Sequence, residues 1–393
     1  MTAPSSLPPL LYLGSDEVES LLPMGECIAL MEGVLRDLAL GAGVQPLRSV
    51  MRLDGRPGLL GIMPGQIQVA GAPGSAGQPP ARPAGAAGRP AAGVTEAGVA
   101  GAVPGGAAGV ASGGSSDGSS VSVAGVKVVS IFPGNRERGD ESHFGAVLLF
   151  ETETGRPIAY LDAAAITAIR TAAVSAVATR LLARFDAGEL ALLGAGVQAR
   201  THLAALREVR ELRRVRVWSR RPESARRFAA EESARHRLPV EAAPSAAAAV
   251  AGADLVCTIT ASREPVLAGE WLSPGVHVNA VGASAAAARE LDSAAVARAR
   301  LFVDRRESTI NESGDFLVPL REGVIAEDHI QGEIGDLLLG RIPGRRSASE
   351  ITLFKSLGLA VEDLAAAHHV YRQAVAQGRG IRLDAAAAGR SGR

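Results

Sequence analysis

Apolar positions first recur at helical spacing between Ser15 and Leu38. Val18, Leu21, Leu22, Cys27, Leu30, Met31 and Leu35 form a stripe that Pro23 interrupts. This predicts a short helix capped by Asp16, a break, and a second helix ending before Gly41-Ala42-Gly43. Apolar pairs among Gly and Pro over residues 44–69 predict strands and turns, and Arg48 and Arg52 fall there. Val121 to Phe132 alternates apolar with small or polar residues, and Gly145 to Asp162 reads as a hairpin turning at Glu153-Thr154-Gly155-Arg156. Lys127 sits mid-strand among valines, either solvated or kept for a task. A helix capped by Thr167 follows, with its stripe through Val174, Val177 and Leu181. Arg170 lies on its apolar face near its start, where a guanidinium is either paired with an anion or snorkels from the helix end.

The next unit carries more chemistry. The apolar run Glu189–Leu193 feeds Gly194-Ala195-Gly196-Val197-Gln198-Ala199 and then a helix through His202, Leu203, Leu206 and Val209. A G-x-G-x-x-A turn between strand and helix is the dinucleotide fingerprint. Gly194 permits the tight turn, Gly196 lets a pyrophosphate approach the backbone, and Ala199 lets the helix pack closely. The free N–H groups at the helix start favour phosphate. Strands at Val215–Trp218, Leu255–Ile259, Val276–Val281 and Leu301–Val303 alternate with helices, which predicts an α/β, doubly wound parallel Rossmann sheet. After its second strand an NAD site usually places Asp or Glu. This chain offers Ser219-Arg220-Arg221, a hydroxyl and two guanidiniums suited to a 2′-phosphate, so NADP(H) is preferred and NAD(H) is the alternative.

Between about residues 70 and 120 the chain becomes Ala, Gly, Pro and Ser, with no Leu, Ile, Met or aromatic residue between Ile67 and Ile131. Too little apolar area is available to offset an ordering cost of roughly 1–2 kcal/mol per residue, so a disordered insertion is expected. Most of the Gly and Pro excess sits in this stretch.

Composition narrows the remaining classes. The 393 residues allow two domains, and 41 basic against 41 acidic residues leave no surplus for nucleic acid. Two cysteines exclude a disulfide framework and fit a reducing, cytoplasmic compartment. No segment is expected to reach the roughly 18 apolar residues of a membrane span. The seven histidines show no metal-ligand spacing, so no metal is expected; neither a P-loop nor a nucleophile elbow occurs.

The chain resembles the ornithine cyclodeaminase/mu-crystallin family. The matching pieces are Gln45–Arg48, Met63-Pro64, Gly125–Lys127 running to Phe132–Asn135, Ile166–Ala173, the Gly194 turn, Asn279–Ser284, Arg289–Asp292, Glu312–Asp315 and Phe354–Gly358. The resemblance implies a Rossmann domain plus a smaller α+β domain, built from both chain ends, for substrate binding and homodimerisation. The expected division is residues 1–170 for the substrate domain, 171–345 for the Rossmann domain, 346–380 returning to the substrate domain, and 381–393 as a disordered tail. It also implies that Arg48, Lys127 and Arg170 bind the carboxylate of an imino or amino acid, with hydride passing between nicotinamide C4 and the α-carbon. Lys127 and Ser284 are the candidates for substrate polarisation or proton movement. Thr171, Gly194, Ala195, Gly196, Val197, Gln198, Ser219, Arg220, Arg221, Thr258, Val281 and Gly282 are the expected cofactor contacts.

Two positions depart from the cyclodeaminase pattern. Ser284 stands where cyclodeaminases carry an aspartate, and Gly61 stands where they carry an acidic residue two before Met-Pro. Loss of both carboxylates disfavours a diamino substrate. The Gly-Ala-Ser pattern is similar to mu-crystallin, which implies NADPH-linked ketimine reduction. An NAD(P)H-dependent imino- or amino-acid oxidoreductase is therefore expected. Ornithine cyclodeamination with recycled NAD is the alternative, and a ligand-sequestering protein is a third, non-enzymatic class.

Overall fold

The computed structural model describes residues 10–55, 58–69, 121–132, 134–135 and 143–383. The expected disorder at 70–120 and beyond residue 383 lies outside them. Strand β1 (Leu10–Leu13) leads into helices α1 (Ser15–Leu21) and α2 (Met24–Ala39), with Pro23 at the break. The cap of α1 is Gly14, whose N–H donates to Glu17 at 3.2 Å, so Asp16 lies inside the first turn rather than capping it.

β2 (Ser49–Arg52), β3 (Leu59–Val69), β4 (Val121–Ile131), β5 (His143–Glu151), β6 (Pro157–Asp162) and β15 (Ile381–Leu383) join β1 in a seven-stranded sheet ordered β15-β1-β6-β5-β4-β3-β2. β3 and β4 are neighbours, and Gln66 Nε2 donates to Ser122 Oγ at 2.8 Å, so the 70–120 stretch connects adjacent strands. The expected tail begins too early: residues 381–383 pair antiparallel with β1.

α3 (Ala163–Leu182) crosses from this sheet to the second. Asp162 caps it by accepting from Ala165 N at 2.7 Å; Thr167 is already inside, donating to Ala163 O. Arg170 is thus two turns into the helix, not at its start. The expected domain boundary at 170/171 cuts through this one helix. Contrary to expectation, α3 is long and apolar enough to span a membrane, yet 83% of its apolar window is buried inside the protein, the mark of a core helix.

The second sheet comprises β7 (Glu189–Leu193), β8 (Arg214–Trp218), β9 (Val240–Ala242), β10 (Leu255–Thr258), β11 (His277–Ala280), β12 (Arg300–Val303), β13 (Ile330–Glu333) and β14 (Thr352–Lys355). Its order is β9-β8-β7-β10-β11-β14-β12-β13 and every pair is parallel. Ala191 and Leu193 pack into one apolar cluster, while Leu190 and Leu192 pack into another, as expected of a sheet buried on both faces. β14 inserts between β11 and β12, so the 346–380 segment does not simply return to the other sheet. Its run Thr-Leu-Phe-Lys is too short to stand out as a strand without its neighbours. The chain then enters α11 (Ala360–Gln377), which packs against α2, α3 and β5.

Candidate active site

The switch point of the parallel sheet lies between β7 and β10, where the winding reverses, and ligands of such sheets bind outside the strand C-termini there. Gly194 leaves β7 at φ +126, and a Cβ on it would lie 2.7 Å from Ile259 O. A side chain there is excluded by conformation and by space. Gly196 caps α4 (Val197–Val209), and among the described residues no atom beyond its chain neighbours lies within 4 Å of where its Cβ would be. Beside this open backbone, the buried Gln198 Oε1 and Thr258 Oγ1 have no hydrogen-bond partner among the described residues. Open backbone and unpartnered acceptors fit a bound dinucleotide.

The other expected contacts surround the same edge. Ala195 follows the turn and Val197 is 60% exposed at the helix start. Ser219 is partly buried at the end of β8, while Arg220 and Arg221 are exposed ahead of α5 (Pro222–His236). Val281 and Gly282 follow β11, their N–H groups donating to Thr258 O at 2.9 and 3.1 Å. Thr171 is buried in α3 beside Arg170. Ser284 is exposed, directly after Ala283.

The three expected cations meet at the turn joining β14 to α11. Lys127 shares the inward phase of β4 with Val123 and Gly125, so period-two alternation buries it. Its Nζ lies 3.0 Å from both Asp363 oxygens. Arg170 donates from Nε to Asp363 Oδ1 at 2.8 Å and from Nη1 to Glu362 Oε2 at 2.7 Å. Arg48 approaches from the segment before β2. It pairs with Glu312 at 2.7 Å and donates to Leu357 O at 2.8 Å and Gly358 O at 3.1 Å. Gly358 adopts φ +78, and a Cβ there would fall 2.6 Å from Arg170 Nη1. A side chain there would both strain the backbone and displace the Arg170 guanidinium.

Burial makes these charges consequential. Desolvation, helped by Arg170 and Arg48 and opposed by Asp363, pulls the Lys127 ammonium down to about 8. Burial pushes the Glu362 carboxyl up to about 7 against the pull of Arg170. Burial also raises Asp304, although Leu357 N and Gly358 N donate to its Oδ2 at 2.6 and 2.7 Å. A lysine near 8 can donate a proton at neutral pH and recover it.

Composition and spacing did not single out the acids. Glu362 and Asp363 occupy the first turn of α11, where the helix dipole favours negative charge; the usable signal was an acidic pair inside the apolar run AVEDLAAA. A second buried network was also missed. Lys355 Nζ donates to Ala283 O at 2.6 Å and pairs with Asp315 at 2.9 Å. Asp315 accepts from Glu290 N and Leu291 N, while Glu290 accepts from Gly282 N at 2.7 Å and Thr260 N at 2.6 Å. These residues fix the loops after β10 and β11 that wall the crevice.

A parallel sheet with an open glycine turn at its switch point, and a cluster of two buried cations and a partly buried third with their carboxylates at its C-terminal edge, defines a Rossmann-type dinucleotide enzyme. The chain belongs to the ornithine cyclodeaminase/mu-crystallin family, whose model matches residues 114–378. It is similar to a Delta(1)-pyrroline-2-carboxylate reductase of Bacillus cereus, 39% identical over 261 residues, which are 66% of this chain and 80% of the relative. It is 42% identical over 245 residues to the ketimine reductase mu-crystallin of Mus musculus, covering 62% of this chain and 74% of the relative. The solved structure of Thermococcus litoralis Delta(1)-pyrroline-2-carboxylate reductase in complex with NADH and L-proline superposes with TM-score 0.80 at 34% identity, covering 95% of this chain and 100% of that one.

Proposed function

We propose that the chain reduces a small cyclic imino acid of the pyrroline-2-carboxylate kind, with NADPH preferred over NADH. The observation that carries this reading is the convergence of Arg48, Lys127 and Arg170 on the turn at 357–363, at the C-terminal edge of the dinucleotide sheet. Among the described residues, Arg48 bonds through Nε and Nη2 and Arg170 through Nε and Nη1, which leaves Arg48 Nη1 and Arg170 Nη2 as donors for a carboxylate. A reduced nicotinamide, when bound, supplies hydride to the imine carbon. Lys127 provides the matching proton: the C=N π pair moves onto nitrogen, which takes the proton from the Lys127 ammonium. Asp363, in contact with both Lys127 and Arg170, holds the two in register. Ser284, at the rim, contributes a hydroxyl to the substrate nitrogen or an ordered water.

The NADPH preference rests on Ser219, Arg220 and Arg221, two of them exposed guanidiniums at the end of β8. Homodimerisation through the outer face of the seven-stranded sheet is part of the proposal. Met51 and Phe144 there are each about half exposed (53% and 52%), beside the partly exposed Ile62 and Tyr160. The buried free thiols of Cys27 and Cys257 favour a cytoplasmic setting.

The test is to mix purified protein with NADPH and a cyclic ketimine acid and follow the nicotinamide absorbance. Stoichiometric loss is expected. Conversion of ornithine to proline with no net absorbance change, and no ketimine reduction, would make the chain a cyclodeaminase instead.

A further inference from the structure

The cluster that faces the substrate contains no surplus of positive charge. Arg48, Lys127 and Arg170 are matched by Glu312, Asp363 and Glu362, and Asp304 adds a fourth carboxyl at the same turn. If all four acids are ionised, the cluster carries a net negative charge before any anion enters. Burying a further carboxylate there is unfavourable unless one acid gives up its charge.

Hydrogen bonding identifies which one. Asp304 Oδ2 accepts from two backbone N–H groups and Oδ1 from a third, Arg305 N at 2.8 Å. Asp363 is held by Lys127 and Arg170, and Glu312 is partly exposed beside Arg48. Glu362 is fully buried; its Oε2 accepts from Arg170 and from Leu359 N at 3.1 Å, whereas Oε1 is buried with no partner among the described residues. An oxygen with no donor is where a proton is least opposed. We infer that Glu362 takes up a proton when the substrate carboxylate binds, so that the guanidinium of Arg170 is released from one carboxylate to serve another. This rests on the proposed carboxylate site and makes Glu362 a positioning residue.

The groups facing Glu362 are Arg170 from α3, Cys27 from α2, Asp304 from the turn after β12 and Asp363 from its own helix, with Lys127 of β4 beyond Asp363. Cys27 stays a neutral thiol, pushed up to about 12 by burial. Burial draws the Lys127 ammonium down to about 8.

Calorimetry of the full-length protein with saturating dinucleotide tests this. Pyrrole-2-carboxylate is a suitable probe because its own protonation does not change between pH 6 and 9. Titrations in buffers of different ionisation enthalpy count the protons. Uptake approaching one proton per ligand is expected near pH 7.5, with Kd rising up to tenfold per pH unit above about 7. Glu362→Gln should still bind, with no uptake and a Kd flat below pH 8, whereas Asp304→Asn should keep the uptake. Binding to the wild type without proton uptake overturns the inference, as does uptake retained in Glu362→Gln. Should Glu362→Gln fail to fold, the wild-type proton count and Asp304→Asn still decide. Absence of any binding by the wild type defeats the underlying carboxylate site instead.

Discussion

Lys127 touches both oxygens of Asp363 and is drawn down to about 8 by burial beside two arginines. If Lys127 is the proton donor, as proposed, the rate of reduction should fall as pH rises through about 8, and the reverse oxidation, served by the free amine, should rise over the same interval. A pH–rate profile in both directions checks the signs. Lys127→Met should lower kcat by about a hundredfold or more, the range of a lost proton donor. It should still fold, because Asp363 keeps Arg170 as partner. Among single residues, Lys127 and Arg170 were legible because each broke an apolar pattern, in a strand and in a helix. Their counter-ions were not: Asp363 lies 236 positions from Lys127, and nothing local reports such a pairing.

At the level of elements, β4 and the glycine turn between β7 and α4 were readable from alternation and spacing. β14 was not, since four apolar or mixed residues acquire strand character only from β11 and β12 on either side. The end of β8 offers a clean substitution. Arg220→Glu with Arg221→Glu should shift the ratio of kcat/KM for NADPH over NADH by tenfold or more toward NADH, with stability unchanged because both side chains are exposed. The 70–120 connection offers another. Since β3 and β4 are adjacent and loop closure changes by only about 0.6 kcal/mol per doubling of length, replacing residues 70–118 with a short turn should leave a cooperative thermal transition. A variant that does not fold would show that this stretch contributes to the core.

For the whole molecule, the Rossmann sheet was legible because its strands and helices alternate along the chain. The boundary was not, because α3 is one continuous helix that carries Arg170 and packs on both sheets. The exposed apolar face of the first sheet bears on assembly. Phe144→Asp should convert a dimer into monomers in light scattering, whereas an unchanged mass, or a monomeric wild type, would rule out that face.

The most direct measurement is a crystal structure with NADP+ and L-proline bound. The expected density has the carboxylate within hydrogen-bond reach of Arg48, Lys127 and Arg170, and the pyrophosphate over Gly194 and Gly196. A ring acid seated away from those three side chains, or a dinucleotide absent from the crevice at the end of β7, would contradict the proposed chemistry.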